Sequence, residues 1–395
     1  MEMKTQFRMV AVYIALALLP WSGARAQTTG ATAKEIVIGS CAALEGPSSF
    51  LGRETVRGAE IYFQYINDEG GVLGRKLKLV SHDDSYDPTK AQGCWDRLME
   101  EKVFAMGFFV GTPTALKYVP LAETNQIPLV GLFTGAQTLY TPVRHWVINV
   151  RASYFDEMAE QMDGLWKVLG YHKIGVIYPD DAFGGAVLLG LQTALKDHAA
   201  EPVATASYLR QTEMVDGAID KVRAANPDAV VVVGPANTVA PILKKAHAKG
   251  WKPLFLTVSF VGTDELIQDA GSDAEGTVIT QVVPPYYLTE LKTVALYRRT
   301  LQKYAPGARP NFVSLEGFVD AMVMAEGLKK AGKDLTREGL IQAIETMHDE
   351  DVGLGPQLKL NCSAHHHKGF DHVLPTVVRG GRAVPFTDWA MVSGK

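Results

Sequence analysis

The sequence predicts an α/β fold of two lobes, each a doubly wound parallel sheet, joined by a three-segment hinge. The chain has 395 residues, whereas a single hydrophobic core stops growing at about 250–300 residues. Short apolar runs alternate with longer segments of helical periodicity, which is typical of parallel strands with crossover helices. The alternation occurs in two successive series, and further helical segments follow the second. These three observations together predict two lobes.

The composition is that of a soluble globular protein. Hydrophobic residues make up 47% of the chain and charged residues 21%, which excludes the disordered and fibrous classes. The formal net charge is −4, so the chain lacks the basic surplus of a nucleic-acid-binding protein. We expect no nucleic-acid partner.

The first residues predict a secretory signal. Lys4 and Arg8 precede the apolar run 9–19, and the small residues of 24–26 supply a cleavage site. The apolar run is shorter than the roughly 20 residues that span a bilayer, so a retained membrane anchor is the weaker interpretation. We predict a cleaved signal peptide over 1–26 and a mature chain in the periplasm.

The two series define the elements in order. The first comprises predicted strands at 35–39, 78–80, 103–109 and 128–133, and helices at 51–68, from 87 onward and at 112–125. The second comprises strands at 146–150, 173–178, 229–233, 254–259 and 277–283, and helices at 155–169, 182–198 and 239–249. Three more helices at 288–304, 312–330 and 336–347 and a strand pair within 373–386 complete the chain.

The remaining helices fix the predicted lobe boundaries. They are too many for the second sheet alone, so the chain is expected to return to the first lobe after Pro285. We therefore assign 34–151 and 284–370 to lobe one, and 152–283 and 371–395 to lobe two.

Ligands of open α/β sheets bind beyond the carboxyl ends of the strands, so the strand-to-helix turns are the candidate site. After the strand at 103–109, Thr112 is expected to cap a helix, Pro113 suits its first position, and free backbone N–H groups would attract an anion. An ordinary capped helix is the alternative. The next strand ends in Phe133 and Thr134, whose hydroxyl would hold the same anionic group.

Equivalent turns in lobe two carry five candidate contacts: Phe183, Pro235, Asn237, Ser259 and Phe260. We expect the two phenylalanines to close over an apolar ligand body. The alternative for each ring is packing within its own lobe.

Enzyme signatures are missing from the sequence. It contains no G-x-S-x-G elbow, Walker phosphate loop, H-E-x-x-H, C-x-x-C or strand-following G-x-G-x-x-G. Asp83 and Asp84 form the best carboxylate pair, and turn formation with helix capping accounts for them. We therefore predict no catalytic residue and no cofactor.

Three cysteines, Cys41, Cys94 and Cys362, allow at most one disulfide in an oxidising compartment. The sequence does not name the pair, and buried, inert thiols are the alternative for the first two. Cys362 also lies near four possible zinc or copper ligands: His365, His366, His367 and His372. A solvated loop is the favoured interpretation, because consecutive histidines do not easily share one tetrahedral ion. We predict no metal site.

The order of motifs resembles the branched-chain amino-acid (leucine/isoleucine/valine) family of periplasmic substrate-binding proteins of ABC transporters. The motifs are Gly58-Ala59-Glu60, the run 67–75, Asp83-Asp84-Ser85-Tyr86-Asp87-Pro88, Gly111-Thr112-Pro113-Thr114, Thr134-Gly135-Ala136, the run 149–154 and Ser314-Leu315-Glu316-Gly317. The resemblance implies a type I periplasmic binding fold, hinge closure over a small ligand and delivery to a membrane permease. It also implies ligand contacts at Phe50, Leu51, Gly111, Thr112, Thr114, Phe133, Thr134, Gly135 and Tyr154.

The departures from this family bear on the ligand. Members that bind leucine or valine place an acidic side chain against the ligand ammonium, and that position corresponds to Ser259 here. Two expected aromatic hydroxyls fall near Pro235 and Phe183. A buried, unpaired ammonium would cost several kcal/mol unless Asp181 or Glu316 supplies the charge. A carboxylate of low polarity or a neutral apolar ligand is therefore expected beside amino-acid-like ligands.

The sequence thus predicts a monomeric, non-enzymatic solute receptor of an ABC importer. A regulatory sensor of the same fold is the first alternative. A hydrolase or metal-dependent enzyme using Asp83, Asp84 or the histidine cluster is the second.

Overall fold

The described part of the chain folds around two parallel sheets. The computed structural model describes residues 29–210, 212 and 214–392, so the predicted signal peptide, 1–26, lies outside the described residues. In these ranges, no helix is long and apolar enough to cross a bilayer.

The first sheet contains five parallel strands: β1 Glu35–Ala42, β2 Lys76–Asp83, β3 Ala105–Gly107, β4 Leu129–Val130 and β5 Val147–Ile148. Their order is β2-β1-β3-β4-β5. The connecting helices are α1 Ser49–Asp68, α2 Ala91–Glu100 and α3 Thr112–Asn125. Because the order reverses between β1 and β3, the loops after these strands diverge and leave a crevice at the carboxyl edge.

The second sheet repeats this plan. Its parallel strands are β6 Ile174–Pro179, β7 Ala204–Tyr208, β8 Ala229–Val232, β9 Leu254–Thr257 and β10 Val278–Gln281. A separate antiparallel pair, β11 Glu350–Asp351 and β12 Lys359–Leu360, precedes the terminal hairpin of β13 Leu374–Arg379 and β14 Arg382–Pro385. The order β14-β13-β10-β9-β8-β6-β7 adds the hairpin beside β10, as an antiparallel edge. The helices are α4 Tyr154–Asp163, α5 Ala182–Lys196, α6 Asp216–Ala224, α7 Ala236–Ala248 and α8 Thr263–Ala270, followed by α9 Lys292–Tyr304, α10 Phe312–Ala331 and α11 Arg337–Glu345.

The chain passes between the sheets three times, before α4, after β10 and before β13. The first and third passages are hydrogen-bonded to each other, because the Gly369 and Phe370 amides donate to the carbonyls of Asn149 and Val150, each at 2.8 Å. Two sheet-centred lobes with a three-segment hinge confirm the predicted fold class. We propose the predicted boundaries, 34–151 with 284–370 and 152–283 with 371–395, as the division of the lobes.

Two glycines allow α1 and α10 to pack closely on the outer side of the first sheet. A Cβ atom on Gly58 would lie 2.0 Å from the Ser314 carbonyl oxygen, and one on Gly317 would lie 2.1 Å from the Thr55 carbonyl oxygen. Any larger residue would push the helix axes apart. This contact fixes the position of α10, which carries a charged side chain of the cleft described below.

Some elements differ from the prediction. The strand β7 and the helices α6 and α8 were not predicted, and the predicted helix 155–169 ends its α-helical part at Asp163 before a π-helical segment, Gly164–Leu169. The indole of Trp389 packs against Gly164, where a Cβ atom would lie 2.0 Å from the ring. This close contact lies where the helix changes from α to π. Turns of π-helix are rare within α-helices.

Cys41 and Cys94 form a disulfide that ties the end of β1 to α2, and Cys362 is a buried free thiol. The bond closes a loop with a sequence separation of 53. Cross-linking a loop of this length lowers the entropy of the unfolded chain and stabilises the fold by about 4 kcal/mol. The disulfide therefore holds the lobe-one end of the cleft.

We expect Cys94→Ala to lower the free energy of unfolding by about 3–4 kcal/mol under oxidising conditions. Urea unfolding followed by circular dichroism measures the change. Cys362→Ala is the matched control, since it removes a buried thiol without a cross-link and should respond equally with and without a reducing agent. Equal losses for the two variants in oxidising buffer would contradict a stabilising role for the cross-link.

Candidate functional site

The loop between β3 and α3 begins the candidate site in lobe one. The residue that caps α3 is Gly111, with φ of 97°, and not Thr112 as predicted, because Thr112 is already the first helical residue. A Cβ atom on Gly111 would lie 1.8 Å from the ring of Tyr86. Both the positive φ and the aromatic contact therefore require glycine here.

The freed side chain of Thr112 joins a line of buried hydroxyl groups. Its Oγ1 atom lies 2.7 Å from Oγ1 of Thr134, which lies 3.4 Å from the Tyr154 hydroxyl. Gly135 accepts a hydrogen bond from the Tyr154 amide at 2.7 Å, which fixes this tyrosine at the first hinge passage. Thr114 differs from the other two threonines, because its hydroxyl donates to the Val110 carbonyl at 2.6 Å.

Aromatic rings from both lobes cover these hydroxyls. The Phe260 ring lies 5.5 Å from Phe133, 4.5 Å from Phe183 and 5.8 Å from Tyr86, measured between ring centroids. Phe183 also lies 5.4 Å from Tyr154. The rings pack against one another across the lobes and form one continuous apolar surface.

Two further groups of predicted residues lie at the margins of the candidate site. Leu51 and Phe50 face Gly262 of lobe two, at 2.9 and 3.5 Å from the position of a Cβ atom there. Pro235 lines a small cavity beside Tyr86. Asn237 is set apart from the other predicted residues. Its amide oxygen has no hydrogen-bond partner among the described residues.

A buried ion network lies at the base of the cleft. Arg151 is 1% exposed and its guanidinium bonds Glu316 of lobe one at 3.1 Å and Glu157 of lobe two at 3.3 Å. It also donates to the Ser259 hydroxyl and stacks on Phe133, with 5.2 Å from Cζ to the ring centroid. One guanidinium thus joins the two lobes.

Glu157 has every acceptor position occupied. Its carboxylate takes the Ser259 amide and hydroxyl, each at 2.8 Å, and the Thr280 hydroxyl at 2.6 Å, besides Arg151. Ser259 therefore binds a carboxylate from α4 and does not face a ligand alone. Of the two alternative acids, Glu316 is paired with Arg151, and Asp181 pairs with Arg210 at 3.2 Å.

The carboxyl groups of α10 titrate abnormally. Burial raises the pKa of Glu316 to about 7, against the opposing effect of Arg151. Burial, reinforced by the neighbouring Glu316, raises the pKa of Asp320 well above its ordinary value. Among the described residues, the Asp320 Oδ2 atom has no hydrogen-bond partner.

The sequence did not reveal the contacts of Arg151, Glu157, Tyr86 and Arg210. Arg151 and Tyr86 stood inside recognised motifs, but the motifs do not show which groups they meet. A signal existed for Tyr86 alone, because it follows the carboxyl end of β2 in the same way that Thr112 follows β3.

Asp83 and Asp84 accept the turn hydrogen bonds that the sequence predicted, but neither caps a helix, because α2 begins at Ala91 after Lys90. Asp83 accepts the amides of Leu44 and Glu45, each at 2.9 Å, and Asp84 accepts the Tyr86 amide and the Tyr118 hydroxyl, also at 2.9 Å each. Burial raises the pKa of Asp84 to about 6.

Of the histidine cluster, His367 is held in the fold, whereas His365 and His372 are exposed. His367 is 2% exposed, with Nδ1 at 2.9 Å from the Arg144 carbonyl and Nε2 at 2.9 Å from Glu345. No group of three or more histidine, cysteine or acidic residues suited to a metal ion occurs within the described ranges. The neighbouring histidines therefore do not converge there.

A two-lobed α/β fold in which the carboxyl ends of both sheets face each other is typical of binding proteins. The chain belongs to the family described as "Periplasmic binding protein", whose model matches residues 35–375. The match confirms the resemblance that the motifs indicated. The family is non-enzymatic.

Known proteins support this membership. A possible leucine/isoleucine/valine-binding protein from Rhodopirellula baltica superposes with a TM-score of 0.87 at 30% identity, over 92% of this chain and 98% of that one. An amino acid binding protein of Pseudomonas aeruginosa is 24% identical over 306 residues, 75% of this chain and 79% of the relative. A fatty acid ABC transporter substrate-binding protein from Thermomonospora curvata shares the fold, with a TM-score of 0.83 at 22% identity over 92% and 94% of the chains.

Glu316 gives the stability a measurable pH dependence. A carboxyl whose pKa is raised on folding stabilises the folded state at low pH, and this contribution is lost as pH rises through the folded pKa. With a folded pKa of about 7, we expect the wild type to lose about 2 kcal/mol relative to Glu316→Gln between pH 5 and pH 8. Urea unfolding at both pH values measures the difference.

Glu326→Gln on the outer side of the same helix is the control, and its difference from the wild type should not change with pH in this way. A constant difference between wild type and Glu316→Gln would show that Glu316 is ionised across the whole range.

Proposed function

We propose that this protein is a periplasmic solute receptor of an ABC importer and binds a small organic carboxylate with an apolar body between its lobes. Closure of the lobes over the ligand produces the form that the membrane permease recognises. The receptor acts as a monomer. Amino acids, for which relatives are named, fall in the same broad range of small ligands.

One observation carries the proposal, namely the buried hydroxyl pair of Thr112 and Thr134 beneath rings from both lobes. Their oxygens are 2.7 Å apart at the carboxyl ends of adjacent strands, and Thr112 begins α3. Hydroxyl groups and the first amides of a helix are donors that suit a carboxylate. The rings of Phe133, Phe183 and Phe260 supply an apolar wall for the rest of the ligand.

The burial of the same residues supports hinge closure. Thr112 is 1% exposed, and Thr134 and Phe260 are fully buried. A solute reaches them only after the lobes separate, so the structure corresponds to a closed form. A ligand that contacts both lobes favours this form over the open one, which is a population shift.

The charges of the cleft favour a ligand without an ammonium group. Glu157 is saturated by four donors, and Glu316 and Asp181 are paired with Arg151 and Arg210. A ligand ammonium would be buried without a free carboxylate, which costs several kcal/mol.

We expect 4-methylpentanoate to bind at least about 10-fold more tightly than leucine, and 3-phenylpropanoate more tightly than phenylalanine. Each pair differs only in the ammonium group. Isothermal titration calorimetry with refolded, ligand-stripped protein measures the four affinities. Tighter binding of both amino acids would contradict the proposed ligand class, and so would an absence of binding by all four compounds.

We also expect Thr112→Val and Thr134→Val to weaken carboxylate binding by about 1–3 kcal/mol, because each removes a hydrogen bond to a charged group. The titration uses the tighter of the two carboxylates. Thr300→Val on α9 is the matched control, since it removes a buried hydroxyl that serves only its own helix. Unchanged affinity in both cleft variants would place the carboxylate elsewhere.

A further inference from the structure

Tyr86 has a buried hydroxyl group with no partner. The residue is 2% exposed, and its Oη atom makes no hydrogen bond to any described residue. Burial raises the pKa of this phenol well above its ordinary value, so the hydroxyl keeps its proton and remains a donor. An unpaired buried hydroxyl costs about 1–3 kcal/mol, and such groups in native proteins call for an explanation.

The ring is held firmly in place. Ser85 and Tyr86 both have positive φ, at 51° and 55°, and the Asp84 carboxylate accepts the Tyr86 amide. One edge of the ring rests on Gly111. Arg210 of lobe two stacks on it, with Cζ 4.6 Å from the ring centroid, and donates to the Tyr86 carbonyl at 2.7 Å.

A small cavity adjoins the ring. Its volume of about 10 Å³ is room for about one water-sized group. Tyr86 contributes the lobe-one wall, and the other walls come from lobe two: Pro179, Asp181, Phe183, Tyr208, Arg210, Pro235 and Thr238. The cavity therefore exists only when the lobes are closed.

Two donors at the cavity make no hydrogen bond to a described residue, the Tyr86 hydroxyl and the Arg210 Nε–H, and the Asp181 Oδ2 atom has only its ion-pair contact with Arg210. The Tyr208 hydroxyl donates to the Val233 carbonyl at 2.6 Å, and Asp181 accepts the amides of Phe183 and Gly184. The Arg210 Nε atom is within ion-pair distance of Asp181 yet is not aligned for a hydrogen bond. An oxygen that accepts hydrogen bonds fits these surroundings.

We infer that this cavity is a second ligand subsite, which receives a hydroxyl or keto oxygen that the ligand carries besides its carboxylate. The ligand is then a hydroxy acid or keto acid, and Tyr86 is a residue that determines this specificity. The inference rests on the proposed function, because it needs a carboxylate ligand in the cleft. Since the walls come from both lobes, the added oxygen is bound only in the closed form and favours closure.

The test compares plain carboxylates with their oxygenated analogues. The probes are 4-methylpentanoate with its 2-hydroxy and 2-oxo derivatives, and 3-phenylpropanoate with 3-(4-hydroxyphenyl)propanoate, which together place the oxygen near to and far from the carboxylate. Titration calorimetry is run on the wild type, on Tyr86→Phe and on Tyr304→Phe. The last variant is the control, because it removes a hydroxyl that bonds Asp68 on the outer surface.

In the wild type, we expect at least one oxygenated analogue to bind about 10-fold more tightly than its parent acid, the advantage of one additional hydrogen bond. Tyr86→Phe should abolish this advantage and leave the affinity for the parent unchanged. The unchanged parent affinity also shows that the variant folds and closes. Tyr304→Phe should behave as the wild type.

Three results would overturn the subsite. In the first, no oxygenated analogue surpasses its parent in the wild type. In the second, the advantage survives Tyr86→Phe, and in the third, Tyr86→Phe weakens parent and analogue equally. In each case the plain carboxylates still bind, so the proposed function stands. Failure of every carboxylate to bind would overturn both.

Discussion

The contact between the two lobes depends on the charge of Arg151. A guanidinium removed from water carries a penalty of several kcal/mol unless carboxylates and further acceptors surround it. Here one carboxylate, Glu316, comes from α10 of lobe one and the other, Glu157, from α4 of lobe two. The buried charge of Arg151 is fully compensated only while both lobes contact the hinge passage that carries this arginine. Arg151 therefore couples the folded structure of each lobe to the position of one lobe relative to the other.

This use of the carboxylates leaves recognition to other groups. The acceptors of Glu157 are filled by the arginine, by the Ser259 amide and hydroxyl and by Thr280, so this carboxylate is fully used before any ligand enters. Under the proposed function, recognition of the ligand falls to the hydroxyl pair of Thr112 and Thr134 and to the aromatic faces. A site rich in donors and poor in free acceptors discriminates by the oxygens of a ligand, since an unpaired ligand cation would be buried at high cost.

Local patterns predicted the architecture and part of the candidate site. The alternation of strands and helices revealed the parallel sheets, and the rule that ligands bind at carboxyl strand ends identified Thr112 and Thr134, which lie in contact. Both inferences rest on short stretches of sequence. The same information did not reveal β7, whose alternately exposed edge position gives a weak apolar signal, and it assigned the cap of α3 to Thr112, where the ring of Tyr86 admits only Gly111.

What the sequence did not predict is set by contacts between distant segments. Arg151 and Glu316 are 165 residues apart in the chain, and neither has a local pattern that distinguishes a buried ion pair from a surface one. The pairing of Cys41 with Cys94 had the same obstacle, because three cysteines allow several pairings until β1 and α2 are placed side by side. In this protein the elements follow from periodicity, whereas the chemistry of the cleft follows from how the hinge brings the two lobes together. The candidate functional residues that cannot be identified from one sequence are therefore those whose partners lie in the other lobe.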